Sequence, residues 1–240
     1  MTSPSPTFVL VHGGYHGGWC WRRVAERLRR RGAQVLTPTQ TGAGERAHQL
    51  AAATVAVFVQ DVVGVLEAEE LTDVTLVGHS FGGLSVTGAV DRVPERVRGV
   101  VFLDGLLVED GRTAFDVMPA PTVAQRRATT VTHDGVPCLA MAPAAAFGVT
   151  DPADAAWLER RLTPHPIGLY DEPVRWSNPI GNGRPCHYVA MTDPWYAPLE
   201  SSRAYARSRS DWSWAEIATG HDAMISEPDL VADALWAAAT

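Results

Sequence analysis

The chain has 240 residues, enough for one α/β domain with a full core and a modest insertion. Hydrophobic residues make up 46% and charged residues 20%, the balance of an ordinary soluble globular protein. A formal charge of −7 argues against nucleic acid as a partner, because phosphate recognition needs a basic surface.

Residues 1–6 lack a basic run followed by an apolar run, so no signal peptide is expected. Residues 7–11 form a short apolar run closed by His12-Gly13-Gly14, the pattern of a buried parallel strand. Helical spacing then covers 19–31 and stops at Gly32. Its arginines (Arg22, Arg23, Arg27, Arg29, Arg30 and Arg31) read as a solvated face that complements the helix dipole. A second strand is expected at 34–36, and a Thr-, Gly- and Pro-rich loop at 37–49. A helix follows at 54–70, with Val55, Phe58, Val59, Val62 and Leu66 on one face. Then come a strand at 73–77, a helix at 81–92 and a strand at 97–103. This alternation implies a mostly parallel sheet with helices on both faces. The rhythm breaks at 107–182, where Pro, Ala and irregular pieces surround one helix at 152–162. That stretch reads as a cap inserted into a core of residues 1–106 and 183–240. The alternation resumes with a strand at 186–191, a helix at 197–207, a strand at 213–218 and a helix at 228–239. No run of about 18 apolar residues occurs, so no membrane span is expected. Cys20, Cys138 and Cys186 are odd in number and match no zinc spacing, which suggests reduced thiols in a cytoplasm and no metal.

Parallel sheets carry their sites at the carboxyl ends of the strands. Gly78-His79-Ser80-Phe81-Gly82 follows the run Val74 to Val77 and opens a helix, the strand–turn–helix setting that makes Gly-x-Ser-x-Gly a nucleophile motif. Ser80 is therefore the candidate nucleophile. The backbone N–H of Phe81 directly after it, and that of Gly14 in the first loop, are the candidate oxyanion donors. Gly13 would allow close approach. A serine hydroxyl needs a base. In this motif class the acid and then the histidine follow in the chain, which selects His221, on the loop after the last strand, from eight histidines. Asp193 and Asp104 both follow strands and both qualify as the acid. Asp193, one strand before His221, is preferred. Asp222 adjoins His221, and neighbouring side chains usually point apart.

With these residues placed, a family resemblance is visible. The segment from Val11 to Trp21, with His12-Gly13-Gly14-Tyr15-His16-Gly17-Gly18-Trp19-Cys20-Trp21, resembles the opening of plant methylesterases and hydroxynitrile lyases. It is closer still to small bacterial carboxylesterases, including pyrethroid-cleaving ones. Gly42 to His48, Gly78 to Gly83 and Gly220 to Ile225 extend the likeness across the chain outside the cap. The resemblance implies an α/β-hydrolase fold, places Asp193 at the acid position and implies no cofactor. Gly13 and Asp222 stand where the cyanohydrin-cleaving lyases carry Thr and Lys, so lyase activity is not expected.

Tyr15, Trp157 and Trp176, with Phe115 and Tyr170, suggest an apolar or aromatic substrate pocket. The function expected is hydrolysis of a small carboxylic ester through an acyl-enzyme. A biosynthetic hydrolase, cyclase or dehydratase on the same fold, and a non-catalytic receptor, are the alternatives. The partner expected is a small-molecule substrate, with neither nucleic acid nor membrane, and a homodimer is allowed for.

Overall fold

In the computed structural model, which describes residues 5–239, the apolar runs become strands wherever they are too short for a helix. Thr7–Val11 (β1), Gln34–Leu36 (β2), Val74–His79 (β3) and Val97–Leu103 (β4) are joined by the helices Arg22–Arg30 (α1), Val55–Ala68 (α2) and Gly82–Arg92 (α3). The chain then leaves the sheet. It forms Ala120–Ala128 (α4), a hairpin of Val131–His133 (β5) and Val136–Cys138 (β6), Pro152–Glu159 (α5) and Gly168–Asp171 (α6). It returns as Cys186–Met191 (β7), Glu200–Ser208 (α7), Ser213–Ile217 (β8), Ala223–Ser226 (α8) and Pro228–Ala239 (α9). Six strands make one sheet in the order β2-β1-β3-β4-β7-β8, and every pairing in it is parallel.

The strand alternation assigns the two faces. Phe8, Leu10, Val77, Val101, Leu103, Val189 and Met191 pack with Val24 and Leu28 of α1 and Val231 and Leu235 of α9. The intervening Val9, Val11, Leu76, Val100, Phe102 and Tyr188 pack with Val59 and Val62 of α2 and Val86 and Val90 of α3. Burying each such side chain contributes about 1.5–3 kcal/mol, so a one-residue slip would put both sets on the wrong face. The arginines of α1 and its C-cap are solvated only in part: Arg27 reaches Asp229 at 2.5 Å, Arg31 pairs with Asp233, and Arg23 reaches Asp154. The three cysteines are free and buried. Among the described residues no helix is long and apolar enough to cross a membrane.

Some boundaries differ from the sequence reading. The helix expected at 19–31 begins as a 3-10 turn, Gly18–Trp21, because the chain there is pressed against residue 37: a Cβ on Gly18 would lie 2.0 Å from the Thr37 carbonyl oxygen. Part of the expected loop at 37–49 is 3-10 helix, Gly44–Ala52, tied down by Arg46 to Asp61 and to the Thr39 carbonyl. The helix expected at 197–207 also starts as a 3-10 turn, at Ala197–Leu199, with Pro198 inside it. Thr54 caps α2 by accepting from the Val57 N–H.

The turn from β3 into α3 crosses under the end of β1 with no space to spare. A Cβ on Gly82 would stand 2.6 Å from the His12 carbonyl oxygen and 2.8 Å from that of Val11. By contrast a Cβ on Gly64, inside α2, meets nothing within 4 Å. In denaturant unfolding Gly82→Ala is expected to cost about 3 kcal/mol, because backbone must move. Gly64→Ala should stabilise by roughly 0.5–1 kcal/mol.

Candidate active site

Ser80 sits at the tip of that turn with φ +52°, the left-handed conformation that lifts the side chain off the strand end. Its backbone is held from β4: the Ser80 N–H donates to the Asp104 carbonyl, and the Ser80 carbonyl accepts from Leu106. A Cβ on Gly13 would lie 2.7 Å from the Ser80 Cβ, so β1's exit loop passes against Ser80 only because residue 13 lacks a side chain.

His221 follows β8 and is 2% exposed. Its Nδ1 lies 2.6 Å from Oδ2 of Asp104, the fully buried residue that ends β4. Asp104, and not the preferred Asp193, is thus the carboxylate in contact with His221. Asp193 follows β7 but is exposed, and its backbone N–H donates to the Thr219 carbonyl. The reason is spatial. The Asp104 side chain reaches across the end of β7, where its Oδ1 accepts from the Met191 N–H, and so fills the place beneath the loop that carries Asp193.

Asp104 has a second partner. Arg203 of α7, 1% exposed, donates to it from Nε at 3.0 Å and from Nη2 at 2.7 and 2.9 Å. The same guanidinium donates to the carbonyls of Met191 and Tyr196, and the Trp195 ring lies over it at 3.8 Å. Tyr196 then stacks on the His221 ring, with centroids 4.0 Å apart and planes 11° apart. Arg203 and Tyr196 were not legible beforehand. An arginine in a polar helix reads as surface, and Tyr196 lies in a loop with no motif.

The first loop is fixed by two histidines. His12 Nδ1 lies 2.8 Å from the Gly13 carbonyl, while its Nε2 accepts from the Gln40 N–H, so Nδ1 carries the proton. Burial lowers His12 to a pKa of about 4, which keeps it neutral. The Gly13 carbonyl and the Gly14 N–H belong to one trans peptide and point oppositely, so anchoring the first aims the second away from His12. Among the described residues, neither the Gly14 N–H nor the Phe81 N–H is used by another backbone or side-chain acceptor.

His16 donates from Nδ1 to the Gly14 carbonyl at 2.7 Å and from Nε2 to Asp222 at 2.9 Å. Both ring nitrogens meet acceptors, which requires the imidazolium. Burial alone would lower the pKa of His16, but the Asp222 carboxylate overrides it and raises it above 6.5. Burial would likewise raise Asp222, and His16 overrides it and holds it below 3.8. His79 lies between the two systems. Its Nε2 is 2.9 Å from the His221 carbonyl, and burial with the neighbouring His221 lowers its pKa to about 3.

Ser80, His221, Phe81, Gly14 and Tyr15 line one cavity, together with Phe147, Tyr170, Tyr196, Leu199 and Arg126. Gly13 lies behind Ser80 rather than on the wall. Trp157 and Trp176, expected in the pocket, are not part of it. Trp157 packs edge-on against Trp19 at 5.2 Å, and Trp176 donates from its indole to the Val108 carbonyl beside α3. As for a metal, His79, His221 and Asp222 are the described residues whose ligand atoms come within 4.8 Å of one another. Of their ring nitrogens, His79 Nε2 lies against the His221 carbonyl and His221 Nδ1 against Asp104.

Residues 8–234 match the sequence profile of the Alpha/beta hydrolase family. A carbendazim hydrolyzing esterase of Nocardioides sp. (strain SG-4G) is 36% identical over 242 aligned residues, covering 96% of this chain and 98% of that protein. A putative chloroplastic methylesterase, number 14, of Arabidopsis thaliana is 36% identical over 112 residues, covering 46% of this chain and 32% of that one. The crystal structure of a pyrethroid hydrolase from Sphingobium faniae JZ-2 superposes with a TM-score of 0.75 at 19% identity, covering 98% of this chain and 97% of that one.

The His16–Asp222 pair has a pH signature. His16 is raised, so its contribution is complete below 6.5 and is lost as pH rises through its folded value. Asp222 is lowered, so its contribution is complete above 3.8 and is lost as pH falls through its folded value. Asp222→Asn should therefore cost roughly 3 kcal/mol near pH 6, with the difference from wild type shrinking towards both extremes. Urea unfolding across pH measures it; a difference independent of pH would contradict the pairing.

Proposed function

The chain belongs to the alpha/beta hydrolase family, and we propose that it hydrolyses carboxylic esters through a Ser80 acyl-enzyme in which Asp104 holds the base, His221. The observation that carries this reading is the 2.6 Å contact between His221 Nδ1 and Asp104, made at the wall of the cavity that Ser80 also lines.

The steps follow from those positions. The Ser80 Oγ attacks the ester carbonyl as its proton passes to His221 Nε2. The imidazolium so formed donates from Nδ1 to Asp104, which fixes the tautomer and stabilises the charge. The oxyanion accepts from the N–H groups of Gly14 and Phe81, each donor worth a hundred- to a thousandfold in rate, on the order of 3 kcal/mol. Collapse breaks the C–O bond, and the departing alkoxide takes the proton from His221. Water, deprotonated by the same imidazole, attacks the acyl carbonyl; the bond to Ser80 Oγ breaks, and Oγ takes the proton back from His221 as the acid leaves. His79 stays neutral and donates from Nε2 to the His221 carbonyl, so it holds the loop without opposing the imidazolium charge. The cavity walls of Phe147, Tyr170 and Leu199 favour a small apolar or aromatic moiety. Given its relative's name, carbendazim belongs in the substrate panel with simple esters.

With p-nitrophenyl butyrate, Ser80→Ala should lower kcat at least about a thousandfold, and Asp104→Asn by roughly 10⁴, the scale for a base left in the wrong tautomer. Asp193→Asn should stay within about threefold of wild type. Full activity in Asp104→Asn, or its loss in Asp193→Asn, would return the acid role to Asp193.

A further inference from the structure

Helix α4 carries two consecutive arginines to different environments. Arg127 faces outward and pairs with Asp171 through two hydrogen bonds, at 3.2 and 2.5 Å. Arg126 turns inward, to the cavity lined by Ser80 and His221. Its guanidinium stands 4.9 Å from the centre of the Tyr170 ring. Its Nη2 reaches the Tyr196 hydroxyl only at 3.4 Å, and its Nη1 reaches the Met118 sulfur at 3.3 Å. Tyr15 completes the surroundings.

None of these neighbours is an anion. Burial pushes the Tyr196 phenol up to about 12 and raises Tyr15 as well, so both stay neutral. Among the described residues no carboxylate lies within ion-pair distance of Arg126, whereas Arg127, Arg203, Arg23 and Arg27 each have one. A partly buried guanidinium given a weak sulfur acceptor, phenol contacts to Tyr196 and Tyr170 and a ring face has lost hydration without gaining a counter-charge. It lines the cavity that Ser80 and His221 share. Arg126, Tyr15, Phe147 and Tyr196 also line an adjoining groove along α4, so the cation stands where the cavity meets that groove.

We propose that Arg126 is an anion-recognition residue, and that the preferred substrate is an ester that also carries a carboxylate, gripped by the guanidinium while its ester carbonyl lies at Ser80. The planar fork of arginine matches the two oxygens of a carboxylate. The tyrosines around it supply an apolar wall with polar tips for the chain between the two groups. The hydrolytic part rests on the ester-hydrolase reading; the anion site itself does not.

The test separates the two. Binding to Ser80→Ala protein is measured by calorimetry at fixed ionic strength. The probes are monomethyl esters of the C4 to C8 dicarboxylic acids, each paired with the methyl ester of the corresponding monocarboxylic acid. At least one carboxylate should bind about tenfold or more tighter than its methyl counterpart, as expected for a charge-assisted hydrogen bond. Adding Arg126→Met should erase that preference, the carboxylate and methyl members of each pair then binding within about threefold of each other. Arg126→Lys should retain part of it. Equal binding of every pair, or a preference that survives Arg126→Met, overturns the proposal. The comparison within Ser80→Ala decides the matter even if Arg126→Met fails to fold. Turnover by the wild-type protein reads the other claim. Anion preference without hydrolysis of any ester upholds the site and sinks the esterase reading; hydrolysis without preference does the reverse.

Discussion

A single buried carboxylate organises the catalytic end of the sheet. Asp104 has no exposed surface, and an isolated carboxylate in such a place would cost several kcal/mol. Three elements converge on it and supply its hydrogen bonds: Arg203 from α7, His221 from the loop after β8, and the Met191 N–H at the end of β7. Each partner is fixed by the others' need for it. The guanidinium that offsets the charge also holds the Tyr196 carbonyl, and the Tyr196 ring stacks on the imidazole that the carboxylate orients. The Asp104 main chain meanwhile accepts from the Ser80 N–H. Arg203, His221 and Ser80 are thus all tied to one residue at the end of one strand.

A second buried charge pair stands behind the first. His221 and Asp222 are neighbours in the chain and point apart, one towards Asp104 and the other towards His16. His16 in turn holds the Gly14 carbonyl, and His12 holds that of Gly13, so two successive peptides of the first loop are fixed by imidazoles in different protonation states. Desolvation wins at His12, which has no anion in contact. It loses at His16, where a carboxylate lies 2.9 Å away. The same residue type does two jobs because one has a counter-charge and the other does not.

Much of the architecture was legible in the sequence, because it depends on local rules. The apolar runs of β1, β3, β4 and β7, their alternation with amphipathic helices, and the Gly-x-Ser-x-Gly turn all report on nearest neighbours along the chain. The pieces of 107–182 did not, apart from the helix at Pro152–Glu159. Helix α4 buries no residue fully and shows little periodicity, and the β5–β6 hairpin was marked only by Asp134-Gly135, both at positive φ. The carboxylate partner of His221 was illegible for a different reason. Asp104 and Asp193 both follow strands, and what separates them is the buried Arg203, ninety-nine residues from Asp104, whose helix reads as polar surface. The expected pocket residues Trp157 and Trp176 were misplaced because size and aromaticity do not tell which side of a cap a ring faces.

The central claim is that His221 Nδ1–H is held by Asp104. Proton NMR of the imidazole N–H region reads that bond directly. A charge-assisted, buried N–H donating to a carboxylate at 2.6 Å should give a strongly downfield resonance. It should be present in wild type and in Asp193→Asn, and absent from Asp104→Asn and His221→Gln. The same resonance persisting in Asp104→Asn and disappearing in Asp193→Asn would contradict the account.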